Sequence, residues 1–127
     1  MTEFKIGDKV TAFNKTGKYI GEITDIRPQN YLVRVLAVLK HPMQGDLHNP
    51  KETDVAFFHE RKALAYREQT NIPIKMVKPF EGDIPDYQES LKIALDKMKQ
   101  ELLEVASSPW GQQSLKNIES LEKDYFK

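Results

Sequence analysis

The chain holds three histidines, and two of them, His41 and His48, stand seven residues apart in the stretch HPMQGDLHNP. With Asp46 between them and His59 further on, they offer the nitrogen and oxygen donors that zinc or manganese takes. The spacing matches neither a pair of histidines one helical turn apart nor a His-x-His pair on a strand. Pro42, Gly45 and Pro50 are turn formers, so the stretch reads as a long ordered loop between strands, with His41 and Asp46 bonded to its own backbone. A metal-dependent protein using His41 and His48 is the weakest of the functional readings, and no cofactor is expected.

The segment FFHERKALAYREQ raises two further chemistries. A histidine followed by glutamate, as His59 and Glu60 are, opens the phosphoacceptor helix of sensor kinases, but here VAFF before it has the grammar of a strand. Glu60 and Glu68 would make an acid–base pair, yet no nucleophile motif, phosphate-cradling glycine loop or two-carboxylate pocket accompanies them. The residues therefore predict a protein that is not an enzyme, in which Glu60, Arg61, Arg67 and Glu68 hold the segment by ion pairs. Nucleic acid is the stronger rival: Lys9, Lys15, Lys18, Arg27 and Arg34 interleave with Phe13, Tyr19 and Tyr31, which would set phosphate contacts beside stacking rings. Those rings alternate with polar residues as core positions do, so an RNA-binding barrel stays the alternative and no stable nucleic-acid complex is expected.

These residues must be positioned by a chain of 127 amino acids, enough for one domain with a small appendage and a real core. Lys plus Arg equals Asp plus Glu at 19 each, with 30% charged and 39% apolar residues, the balance of a soluble globular protein. There is no cysteine, which removes disulfides, thiolate zinc ligands and a cysteine nucleophile. The apolar runs are too short to span a bilayer, and MTEFKIGDKV lacks the apolar core of a signal peptide. A cytoplasmic protein with no direct membrane insertion is expected. The neutral total hides an asymmetry: residues 1–80 carry 13 cations against 9 anions, and residues 81–127 carry 6 against 10, a split that predicts two surfaces attracting one another.

The periodicity changes at the same place. KVTAFN, KYIGEITDI and NYLVRVLAVLK are strands separated by the turn signals KTG and RPQN. In the third, Tyr31, Val33, Val35, Ala37 and Leu39 share one face and Leu32, Leu36 and Val38 the other. VAFFHE and IPIKMV supply further short strands. After Pro79 the pattern is helical: Asp86 with Glu89 forms a capping box, and Tyr87, Leu91, Leu95, Met98, Leu102 and Val105 recur every three or four residues. Ser108 and Pro109 start a second helix, with Trp110, Leu115, Ile118, Leu121 and Tyr125 as its apolar positions. The expected fold is mainly β with α: a small SH3-like β-barrel over residues 1–80, followed by a C-terminal two-helix hairpin over residues 81–127. The hairpin's apolar seam packs either on the barrel or on a second copy, as a homodimer.

The runs KTGKYIGEI, NYLVRVLAVLKHPMQGDLHNPK, VAFFHERKALAYREQTNIP, MVKPF and SLEKDYF together resemble the kinase-associated protein B family of spore-forming bacteria. The resemblance spans nearly the whole chain, and HP-x-QGDLH and FFHERKALAYREQTN are its most specific parts. It implies an SH3-like barrel with a helical extension. It also implies a non-catalytic regulatory role, the support of a sporulation sensor histidine kinase that feeds the phosphorelay, with any approach to the membrane made through that kinase. It brings no mapped site. Long loops on a rigid scaffold carry recognition, so the candidate partner-binding residues are His41, Gln44, Asp46 and His48, then His59, Arg61 and Arg67.

Overall fold

The computed structural model describes residues 4–45 and 60–126. Five strands, β1 Lys9–Asn14, β2 Gly17–Ile26, β3 Asn30–Lys40, β4 Gln69–Pro73 and β5 Val77–Pro79, are followed by α1 Tyr87–Leu103 and α2 Pro109–Tyr125. The architecture is mainly β with α, as expected. The first three strands and both helices begin and end within a residue or two of where alternation, turn signals and caps place them. IPIKMV behaves differently: Ile72 and Pro73 end β4, Ile74–Met76 form a 3-10 turn, and Val77 opens β5. Pro73 and Pro79 close the two short strands at the edges of the sheet, where the missing N–H costs no ladder bond. Residues 55–59 of the expected VAFFHE strand lie outside the described residues.

The sheet is antiparallel in the order β4-β3-β2-β1-β5. Its two edge strands are consecutive in sequence, joined only by the 3-10 turn. In a flat sheet those edges would lie about 19 Å apart, whereas the chain from Pro73 to Val77 reaches at most about 14 Å. The sheet therefore curls until its edges approach. Its interior is filled by Phe4, Val10, Ala12, Ile23, Tyr31, Val33, Ile72 and Val77, with the Phe4 and Tyr31 rings edge to face at 5.5 Å. Gly21 is required where β2 crosses β3: a Cβ there would overlap Val33 Cγ1 and sit 2.7 Å from the Arg34 carbonyl oxygen.

A second core joins the sheet to the helices. Tyr19, Val35 and Val38 from the strands and Ala63 from the segment before β4 pack with Leu91, Ala94, Leu95, Met98, Leu102, Ile118 and Leu121. The face of β3 that carries Tyr31 and Val33 into the sheet's interior thus continues, at Val35, into the helical core. Pairing of β2 with β3 is irregular between Ile20 and Gly21, and beyond it Val38 turns to the helices as well. Its N–H bonds to Ser90 Oγ of α1 at 3.0 Å. Asp86 caps α1 by accepting from Glu89 N, and Ser108 caps α2 by accepting from Gly111 N. The ion pairs seen among the described residues stay within the sheet (Lys9–Glu22, Arg34–Glu22, Arg27–Asp25) or between the helices (Lys99–Glu122).

Candidate functional site

Where β3 ends, residues His41 to Gly45 turn inward instead of outward. His41 is fully buried, with Nδ1 3.0 Å from the Pro42 carbonyl and Nε2 3.1 Å from the Tyr125 hydroxyl. A carbonyl only accepts, so Nδ1 carries the proton, Nε2 accepts from Tyr125, and the Tyr125 oxygen accepts in turn from Ala63 N–H at 2.9 Å. Burial disfavours the imidazolium and lowers its pKa to about 4. Both ring nitrogens are committed to protein partners, and the one lone pair, on Nε2, is taken up by Tyr125. Among the described residues no group of three His, Cys, Asp or Glu gathers as a metal site would need.

Gln44 is the next support. It is 3% exposed; its side-chain carbonyl accepts from Arg61 N–H at 2.8 Å while its amide donates to Arg61 O at 2.9 Å and Pro42 O at 3.1 Å. The side chain imitates a strand partner. Arg61 Nε donates to Gly45 O at 3.0 Å, so the chain at Gly45 and the chain at Arg61 are fastened together at the base of residues 46–59. Beyond Arg61, the irregular stretch up to Glu68 is held by three tyrosine hydroxyls from three elements. Tyr125 of α2 accepts from Ala63 N, Tyr19 of β2 accepts from Leu64 N at 3.2 Å, and Tyr87 of α1 donates to Leu64 O at 2.5 Å. Burial raises all three phenols, Tyr19 to about 12, which keeps them protonated.

The predicted site residues therefore divide. His41 and Gln44 lie beneath the surface and hold their neighbours; Arg61 is half-buried at the loop base; Arg67 is exposed, in a left-handed turn at φ 67°. Asp46, His48 and His59 lie outside the described residues. The ion pairs expected among Glu60, Arg61, Arg67 and Glu68 are not formed among the described residues. Glu68 Oε1 accepts from Ala65 N instead, and Arg61 uses a carbonyl. Backbone groups of a segment outside any ladder need partners more than its side chains need each other. Residues 60–68 contain no helix on which a histidine would be displayed. Of the three rings weighed for base stacking, Tyr19 is 2% and Tyr31 6% exposed, and only Phe13 reaches solvent. The tyrosine fastening was missed from sequence: a phenol aimed at a peptide group many residues away leaves no local signal.

Two surface grooves flank this base. One is lined by Lys18, Leu39, Lys40, His41, Ala94, Lys97, Met98 and Glu101. The other holds Lys15, Thr16, Pro42, Glu60, Arg61 and Lys62. Neither presents a catalytic pair.

A curled five-stranded antiparallel sheet with two helices docked on it, and residues 41–45 and 61–64 locked by internal hydrogen bonds, defines a small β module extended by a helical hairpin. The profile of the family described as kinase associated protein B matches residues 14–126, and the chain belongs to that family. It is 60% identical over 126 residues to Kinase-associated lipoprotein B of Bacillus subtilis (strain 168), covering 99% of this chain and 98% of that one. It also matches the crystal structure of kinase-associated protein B from Bacillus cereus, at 54% identity and a TM-score of 0.85 over 97% of this chain and 98% of that one. The Bacillus subtilis relative is named a lipoprotein. The present sequence has no cysteine, and among the described residues no helix is long and apolar enough to cross a membrane.

Proposed function

We propose that the protein is a non-catalytic accessory factor that supports a sporulation sensor histidine kinase of the phosphorelay by binding it directly. The names of its relatives, which call them kinase-associated, support association with a kinase. The observation in the structure that favours binding over chemistry is the use of its polar groups: both nitrogens of His41, the amide of Gln44 and the hydroxyls of Tyr19, Tyr87 and Tyr125 are all spent on holding backbone and one another. A scaffold fixed in this way presents a surface of defined shape. In this reading Asp46, His48, His59, Arg61 and Arg67 meet the kinase, and His41 and Gln44 act from beneath by fixing the ends of the loop. The protein works in the cytoplasm and comes to the membrane through the kinase.

The test is a titration of the backbone amides of the isotope-labelled protein with the purified cytoplasmic part of the kinase. The expected result is a saturable set of shifts on residues 41–67 and on the neighbouring ends of β2 and β3. A spectrum that stays unchanged with the kinase part in excess rules out direct binding to it.

A further inference from the structure

We propose that the groove between the start of β2, the end of β3 and the helix α1, ringed by Lys18, Lys40 and Lys97, is the docking site for an acidic amphipathic segment of the partner protein. This rests on the accessory reading above and names the chemistry of what is bound. Lys18 of β2 stands directly opposite Lys40 of β3 in the sheet register, an arrangement of like charges that weakens a strand pair. α1 brings Lys97 to the same groove, whose volume is about 370 Å³. Among the described residues none of the three lysines forms an ion pair, and the Lys18 ammonium instead lies 5.3 Å from the centre of the Phe13 ring. Several nearby cations do find carboxylates: Lys9 and Arg34 share Glu22, and Lys99 reaches Glu122 at 2.6 Å. A local conflict left uncompensated where neighbouring charges are paired points to a site built for an outside partner.

The lining chooses among anionic partners. Leu39, Ala94 and Met98 give the groove apolar surface, and Glu101 is its one carboxylate. Past His41 and Pro42 the second groove adds Lys15, Arg61 and Lys62 with Glu60. Aliphatic side chains of an amphipathic helix or extended segment fit the apolar lining, while flanking carboxylates meet the lysines. A nucleic-acid strand is gripped by several stacking rings, and of the three candidate rings Tyr19 and Tyr31 are buried, leaving Phe13 alone exposed. A flat anionic membrane would meet the lysines and leave the lining of the groove uncovered.

The experiment compares the full chain with its K18E/K40E/K97E variant, whose unchanged melting temperature certifies the fold. Each is titrated with the cytoplasmic part of the kinase and with a short labelled amphipathic peptide of Leu and Glu. Expected is binding of both by the natural chain, weakening as salt is raised, and a loss of about tenfold or more in the variant. The same peptide with Lys in place of Glu should prefer the variant. Kinase binding that the variant retains in full overturns the proposal while leaving the accessory role intact. Lysine-dependent binding of the peptide without any binding of the kinase part upholds the groove and removes the kinase. Binding of neither overturns both. Lysine-dependent binding to phosphatidylglycerol vesicles or to a single-stranded oligonucleotide, tighter than to the peptide, overturns the protein segment as occupant.

Discussion

A histidine in a loop beside an aspartate invites a metal or a catalytic reading, and His41 shows how context decides otherwise. With its Nδ1–H on Pro42 and its Nε2 filled by Tyr125, the ring is useful only while neutral. The unfolded chain takes up a proton at this position near pH 6.5 and the folded chain only near 4, so between those values acid favours the unfolded state. Stability should be whole above pH 6.5 and fall by about 1.4 kcal/mol per pH unit on the way to pH 4. Urea midpoints measured across that window check this. His41→Phe, which keeps the ring volume but leaves the Tyr125 hydroxyl without its acceptor, should cost about 1–3 kcal/mol at pH 7 and abolish this site's share of the acid slope. An equal slope in the variant would mean that another group carries the proton. Gly21 is the second residue whose identity is forced. Gly21→Ala places a methyl against Val33 Cγ1 and the Arg34 carbonyl, and a loss of about 1–3 kcal/mol is expected in the same assay.

At the scale of elements, Arg67 and Glu68 bond to the Val35 backbone, whereas the stretch from Arg61 to Tyr66 has neither helix nor ladder and is held by side chains that reach it from elsewhere. Tyr125 is its most connected support, since one hydroxyl accepts from Ala63 N–H and donates to His41. Tyr125→Phe should cost about 1–3 kcal/mol, because it leaves a buried N–H and a buried imidazole nitrogen unpaired. Hydrogen exchange is the discriminating measurement: the Ala63 amide should lose protection well before the amides of β2 and β3. The same comparison explains what was legible in the sequence. β1, β3, α1 and α2 were readable because their signals are local: alternation in NYLVRVLAVLK, a cap at Asp86, a Ser-Pro start at Ser108. β4 and β5 blurred because IPIKMV encodes two edge strands and a turn in so few residues. Of the candidate residues, His41 does bond the backbone of its own stretch, but the burial of His41 and Gln44 left no local signal. Lys18, Lys40 and Lys97 come together only when register and helix docking are known, which no spacing along the chain reports.

For the molecule as a whole, the question is whether the two halves that composition separates are separate objects. The charge split and the change of periodicity near Pro79 suggest a barrel with an attached hairpin, yet the contacts describe a shared core. Tyr19, Val35 and Val38 are 2%, 1% and 2% exposed and share one buried cluster with Leu91, Leu95, Met98, Ile118 and Leu121 of the helices. The Val38 N–H of β3 is satisfied by Ser90 Oγ of α1. Removing the helices would open those side chains to water and orphan that donor together with Ala63 N–H, on a sheet whose own interior has, among the described residues, a cluster of eight buried side chains. Small cores of that size are marginal. The intact protein should therefore unfold in one transition, with tryptophan fluorescence from Trp110 in α2 and far-ultraviolet dichroism from the sheet and helices giving the same midpoint. A chain ended at Phe80 should lack a cooperative melt. Ser90→Ala, which removes the single side-chain bond between α1 and the Val38 N–H, should lower both midpoints together by an amount corresponding to about 1–3 kcal/mol. Two separated transitions, or a shortened chain that melts cooperatively, would show instead that the hairpin is an appendage and that the sheet stands without it.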